Sequence, residues 1–134
     1  MSQGGNAARS GKSAENVIAS VLEQRGLAFE RQVEIGPGIY NTPTRVDFFV
    51  HDLPGFQSGL IIESKWQDTN GTADEKLPFL VANIKERYPC PTIVVLHGGG
   101  FRHGAAEWLL RQVGGTLRAA MNLEELMSFI LRAR

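Results

Sequence analysis

The chain has 134 residues, 43% hydrophobic and 21% charged, which excludes a disordered polymer and leaves enough length for one hydrophobic core without disulfides. Its 14 basic and 14 acidic residues balance, ten of the cations being Arg. That excludes indiscriminate polyanion binding through overall charge but not a local patch. The lone Cys90 has no internal disulfide partner, residues 1–13 contain no apolar leader, and the apolar runs at 92–96 and 128–131 are too short for a bilayer. The expectation is a soluble, cytoplasmic protein of a reducing compartment, with no membrane role.

Residues 1–10 carry nothing to bury and are expected to form a flexible N-terminal tail, with 11–134 as one domain. From Ser13, the residues Ala14, Val17, Ile18, Val21 and Leu22 recur at helical spacing, and Gly26 stands where a glycine stops a helix. Leu27 to Ile35 reads as a strand with Phe29, Arg31, Val33 and Ile35 on one face, ended by Gly36-Pro37-Gly38. Arg45 to His51 and Gly59 to Trp66 read as further strands, with Pro54-Gly55 as turn material between them.

Thr72 to Glu75 matches a capping box, so a helix is expected there, with Pro78 forcing a kink or a late start. Leu77, Leu80, Val81, Ile84 and Tyr88 keep helical spacing beyond it. Pro91 to His97 suits a strand buried on both sides. A helix over Ala105 to Val113, a weak strand over Thr116 to Met121 and a capped helix from Asn122 complete the order. This is an α/β chain, αβββαβ followed by an α-β-α extension. Strands one to three should meander antiparallel. The right-handed crossover makes strands three and four parallel, in a mixed sheet flanked by helices.

On the third strand Ile61, Glu63 and Lys65 share one face, and charged groups on an otherwise apolar strand are costly unless paired, solvated or used. The second strand should place Val46, Phe48 and Val50 on one side and Asp47 with Phe49 on the other. With the hairpin centred on Gly55, Val50 falls beside Leu60 and Phe48 beside Ile62. Asp47 then falls opposite Glu63, with Cβ atoms roughly 5 Å apart. Two carboxylates that close repel unless a cation sits between them, and Mg²⁺ suits hard oxygen ligands with positions left for water and phosphate. Lys65, roughly 7 Å along the same face, can reach a phosphate or an attacking water. The bland alternative is a cross-strand ion cluster on a solvated face, since Glu-x-Lys alone is frequent in strands.

Asp47 followed after a hairpin by Glu63-Ser64-Lys65, behind a leading helix and within an αβββαβ order, resembles the PD-(D/E)XK nuclease superfamily, which includes many restriction endonucleases and the archaeal Holliday-junction resolvases. The resemblance spans Ser13 to His97 and implies a restriction-endonuclease-like core making 11–134 one nuclease domain. It implies a metal-dependent DNA endonuclease with Asp47, Glu63 and the Ser64 backbone carbonyl on Mg²⁺, Mn²⁺ able to substitute, and Lys65 at the attacking water. Glu15 matches a helix glutamate that many members direct at the metal, and Gln67 extends the motif. Val46 stands where the motif's name has proline.

For Glu15 the plain alternative is an acid favoured by the helix dipole, and for Gln67 the opening of a polar loop. Lys12, Arg45 and Lys76 are the candidate DNA contacts, with Arg9 and Arg31 behind them. Cutting both strands of a duplex needs two sites, so a homodimer is expected, its interface or else the core using the apolar last helix. A catalytically inactive DNA-binding module of the same fold is the other reading. Ser10-Gly11-Lys12-Ser13 fails as a P-loop because Asn6 replaces its first glycine. The Gly98 turn lacks the third glycine of a dinucleotide site.

Overall fold

The computed structural model describes residues 11–66, 73–98 and 103–133. The expected N-terminal tail, Gln67 and the Thr72 cap lie outside the described residues. In chain order the elements are α1 (Gly11–Gln24), β1 (Phe29–Pro37), β2 (Pro43–Val50) and β3 (Leu60–Trp66). A 3₁₀ turn (Ala73–Lys76) leads into α2 (Leu77–Arg87), then β4 (Thr92–His97), α3 (His103–Arg111), β5 (Leu117–Met121) and α4 (Leu123–Arg132). The five strands lie in sequence order, β1 to β3 antiparallel and β3 to β5 parallel. This is the mixed α/β sheet of a restriction-endonuclease-like core with the α-β-α extension continuing it through β5.

Pro78 sets where α2 begins. Its ring supplies no N–H, so it is tolerated only in the first turn, and the α-helix starts at Leu77 after the 3₁₀ turn. At the other end of the chain, the Asn122 side chain accepts from the Glu125 N–H while the Glu125 carboxylate accepts from the Asn122 N–H. That reciprocal cap fixes the start of α4.

Two apolar layers sandwich the sheet. On one face Ile18, Val21 and Leu22 of α1 and Leu126 and Ile130 of α4 pack on Phe48, Val50, Leu60, Ile62, Ile93 and Val95. On the other, Val81, Ile84 and Tyr88, with Leu109 of α3, pack on Val46, Ile61, Val94 and Leu117. The last helix therefore finishes the core.

The layers correct the expected strand faces. Val46 lies with Ile61 on the α2 side, whereas Phe48 and Val50 lie on the α1 side. On β1, Phe29 belongs to the α1 layer but Val33 and Ile35 to the α2 layer. Both strands change face at one level, because Arg31 pairs with Phe48 and Val33 with Val46, leaving Gln32 and Asp47 between. On β1 the step has a backbone cause: Gln32 has φ of 55°, a left-handed conformation inside a strand, which cancels one step of the pleat.

Candidate active site

The predicted register between β2 and β3 is the observed one for Phe48 with Ile62 and Val50 with Leu60. It stops one step short of Asp47, where side chains replace the ladder. The Ile61 N–H donates to the Pro91 carbonyl on the β4 side, so by alternation the Ser64 N–H points towards β2. There it meets the Asp47 carboxylate, Oδ2 accepting at 2.7 Å. The Asp47 N–H in turn donates to Glu63 Oε1 at 3.3 Å. Each acid thus holds the backbone of the strand that carries the other, and the two carboxylates are drawn together at the point where the strands part.

Glu63 is only 2% exposed. Its carboxyl is raised to about 7, first by burial. The Lys65 charge works against that rise and the Asp47 charge adds to it, while the bonds from the Tyr88 hydroxyl and the Asp47 N–H favour the anion. Tyr88, at the C-cap of α2, donates its hydroxyl to Glu63 Oε2. Burial, followed by the Glu63 charge, pushes the phenol well above its ordinary value, so it stays a donor. Lys65 lies on the same face as Glu63, and both line a cavity of about 230 Å³ together with Arg45, Lys76, Phe79 and Tyr88 among others.

Asp47 has a further contact, from Gln32 Nε2 to Oδ1 at 3.4 Å. Glu15 stands on α1 and pairs with Arg31 at 3.7 Å. Burial raises the Glu15 carboxyl most, the Asp47 charge adds to that, and Arg31 and Lys65 lower it. Glu15 therefore feels Asp47 and Lys65 electrically. Among the described residues, however, no three His, Cys, Asp or Glu side chains converge as a metal-holding group. The start of α1 is brought close to the end of β3, since a Cβ at Gly11 would lie 3.2 Å from the Trp66 Cβ.

Of the cation candidates, Arg45 and Lys76 line the cavity, and Lys12 does not. Lys12 is exposed on α1, whose apolar side packs on the other face of the sheet. Arg31 lies over the Phe48 ring, 5.3 Å from its centroid, and donates to Asn16 Oδ1, so it serves α1 docking. Two residues went unseen in the sequence. Tyr88 reads there as one more apolar helix position, and nothing in its spacing announces a hydroxyl bonded to Glu63. Gln32 occupies a polar slot of an apparently regular strand, with no local sign of its backbone.

The family model for a PD-(D/E)XK nuclease superfamily domain matches residues 6–133. The chain belongs to the PD-(D/E)XK nuclease superfamily. Its members are generally metal-dependent nucleases. A crystal structure of AF1548, a protein of unknown function, is similar to this PD-(D/E)XK chain with a TM-score of 0.50 and 12% identity. The match covers 80% of this chain and 54% of that one, so this chain spans about half the length of that relative; at such identity the likeness concerns fold alone. A comparison with curated proteins finds no match. Among the described residues no helix is long and apolar enough to cross a membrane.

Proposed function

We propose that this PD-(D/E)XK chain is a Mg²⁺-dependent DNA endonuclease, Mn²⁺ able to substitute, whose nuclease domain spans residues 11–134. The carrying observation is the reciprocal bonding that ties Asp47 of β2 to Glu63 and the Ser64 N–H of β3, with Lys65 lining one cavity together with Glu63. Two carboxylates are the usual protein share of a Mg²⁺ site that keeps its remaining positions for water and phosphate. In an extended strand the N–H and C=O of one residue project towards the same neighbour, so the Ser64 carbonyl also faces the Asp47 side and can complete the donor set. The residues present fit the ion. When bound, a divalent cation supplies Lewis-acid stabilisation of charge at phosphorus and lowers the pKa of water.

The remaining work falls to the chain's own groups. Asp47 and Glu63 supply the negative charge that holds the cation, and Tyr88 keeps the Glu63 carboxyl facing the cavity. The Lys65 ammonium holds a phosphate oxygen or orients the attacking water, and Arg45 and Lys76 at the cavity wall neutralise flanking phosphates. Glu15 and Gln67 are secondary candidates for the metal side of the site. The described residues of one chain form one such site, so severing both strands of a duplex would take two copies.

The test is incubation with linear duplex, single strands, flaps and four-way junctions, with and without Mg²⁺. Wild-type protein is expected to cut DNA only with the divalent ion. Asp47→Ala, Glu63→Gln and Lys65→Ala are each expected to lose at least about 100-fold in rate while keeping native circular dichroism. Binding without products under any divalent ion would favour the inactive DNA-binding module, and robust cutting by Asp47→Ala would reject the assignment.

A further inference from the structure

The cavity that holds Glu63 and Lys65 has an aromatic rim. Phe79 lines it from the first turns of α2 and is 43% exposed. Tyr40, at the tip of the β1–β2 hairpin, is 73% exposed and lies against Phe79, with centroids 5.1 Å apart and planes tilted by 38°. A single exposed aromatic means little, but these two come from separate elements and are brought together by a buried polar device.

Asn83 of α2, 6% exposed, accepts from the Ile39 N–H at 2.8 Å through its side-chain oxygen. The approach is close enough that a Cβ at Gly38 would lie 2.7 Å from Asn83 Oδ1 and 2.8 Å from Thr44 Oγ1, so any larger residue there would have to displace these side chains. The hairpin closes on itself through Gly38 N–H to the Thr42 carbonyl and Asn41 N–H to the Gly38 carbonyl, with Asn41 at φ of 61°. Its tip is therefore tight, pinned to α2, and carries Tyr40 onto Phe79. Among the described residues, the cavity lining has three cations, Arg45, Lys65 and Lys76, against one carboxylate, Glu63.

A rigid pair of exposed rings beside a cationic cavity is complementary to a nucleotide whose base is out of its stack. The phosphate is drawn to the cations, and the base lies on a ring face. Every base offers a π-face, whereas a base paired within a duplex has none to spare. The rings are too close together for a base to enter between them, so stacking uses their outer faces. We infer that Tyr40 and Phe79 form a stacking platform for an unpaired base next to the scissile phosphate, making the preferred substrate single-stranded or locally unstacked nucleic acid. This rests on the nuclease reading of the same site and adds the substrate class to it.

The test measures binding of fluorescein-labelled single-stranded and duplex oligonucleotides by anisotropy in EDTA, where cleavage does not interfere, and then cleavage in Mg²⁺. Wild-type protein is expected to favour the single strand. Tyr40→Ala and Phe79→Ala should each weaken that binding about 10-fold, within the range of one lost base stack, with circular dichroism unchanged. Tyr40→Trp should restore it, and duplex binding should move less than twofold. An oligonucleotide with abasic sites should bind wild-type protein as weakly as the Ala variants and lose nothing further on substitution.

If wild-type protein binds or cuts nucleic acid and both Ala variants match it within twofold, the platform is wrong while the nuclease reading stands. If the same substitutions leave nucleic-acid binding intact but turn a dimer into a monomer by light scattering, the rings are a protein interface and the inference is overturned. If no nucleic acid is bound in EDTA or cut with Mg²⁺ or Mn²⁺ by any form, the nuclease reading itself fails.

Discussion

Glu63 shows at the level of one residue how burial and chemistry pull against each other. A carboxyl that ordinarily titrates near 4.5 is raised to about 7 because it is buried, with Asp47 adding repulsion. Without a divalent ion the folded protein therefore holds a proton that the unfolded chain has already released. Between these two values the native state binds more protons, so stability falls as pH rises. This contribution is present in full below about pH 4.5 and is lost as pH passes about 7, a span worth about 3 kcal/mol. Urea midpoints taken at pH 5 and pH 8 in EDTA should show the higher stability at pH 5. Glu63→Gln, which cannot ionise, should flatten that dependence, and excess Mg²⁺ should recover most of the loss at pH 8 in wild-type protein alone. A Glu63→Gln curve with the full wild-type slope would place the titration on another group.

At the scale of the strand, the arrangement depends on the step where β1 and β2 change face. Gln32 at φ of 55° costs about 1–3 kcal/mol as a left-handed non-glycine residue, yet it sits opposite Asp47 and donates to it. Replacing it with Val, whose branched Cβ resists that region, should lower stability by a further 1–3 kcal/mol, roughly, and weaken Mg²⁺ binding by calorimetry. Gln32→Gly relieves the backbone but removes the amide. It should keep the urea midpoint near wild type and still weaken the ion. Equal stability in the Val variant would mean the kink costs nothing. The same step marks the limit of what the residues disclose by themselves. The Gly55-centred register could be read because Phe48, Val50, Leu60 and Ile62 had to zip, and Pro78 announced the late helix. The change of face could not, since Val33 and Val46 continue the alternation of Phe29 and Phe48 without a break, and nothing in the residue pattern marks the left-handed backbone at Gln32 that turns β1 at this level. Nor could spacing reveal the Tyr88 hydroxyl on Glu63 or the Asn83 contact with the hairpin, which arise where distant elements meet.

For the whole molecule, the question is what the last helix does, because an apolar C-terminal helix suits either a core or a dimer interface. Leu126 and Ile130 are fully buried between α1 and the sheet. Arg25, just beyond α1, donates to the Ile130 and Ala133 carbonyls at the C-terminal end of α4, where a cation also meets the negative end of the helix dipole. Apolar packing and these bonds thus tie α4 to α1, the helix that carries Glu15. Leu126→Ala should therefore cost about 2–5 kcal/mol through the cavity it leaves. The loss should be the same at micromolar and at hundredfold higher protein concentration, because an intramolecular contact has no concentration term. Cleavage at 25 °C should persist if the remaining stability suffices, since Leu126 touches neither Asp47 nor Glu63. A urea midpoint that climbs with protein concentration in wild type and ceases to do so in Leu126→Ala would instead make this helix a subunit interface. A dimer that acts on duplex DNA must otherwise use surfaces outside the α1–α4 contact, and a chain that acts on one unpaired strand needs no second copy.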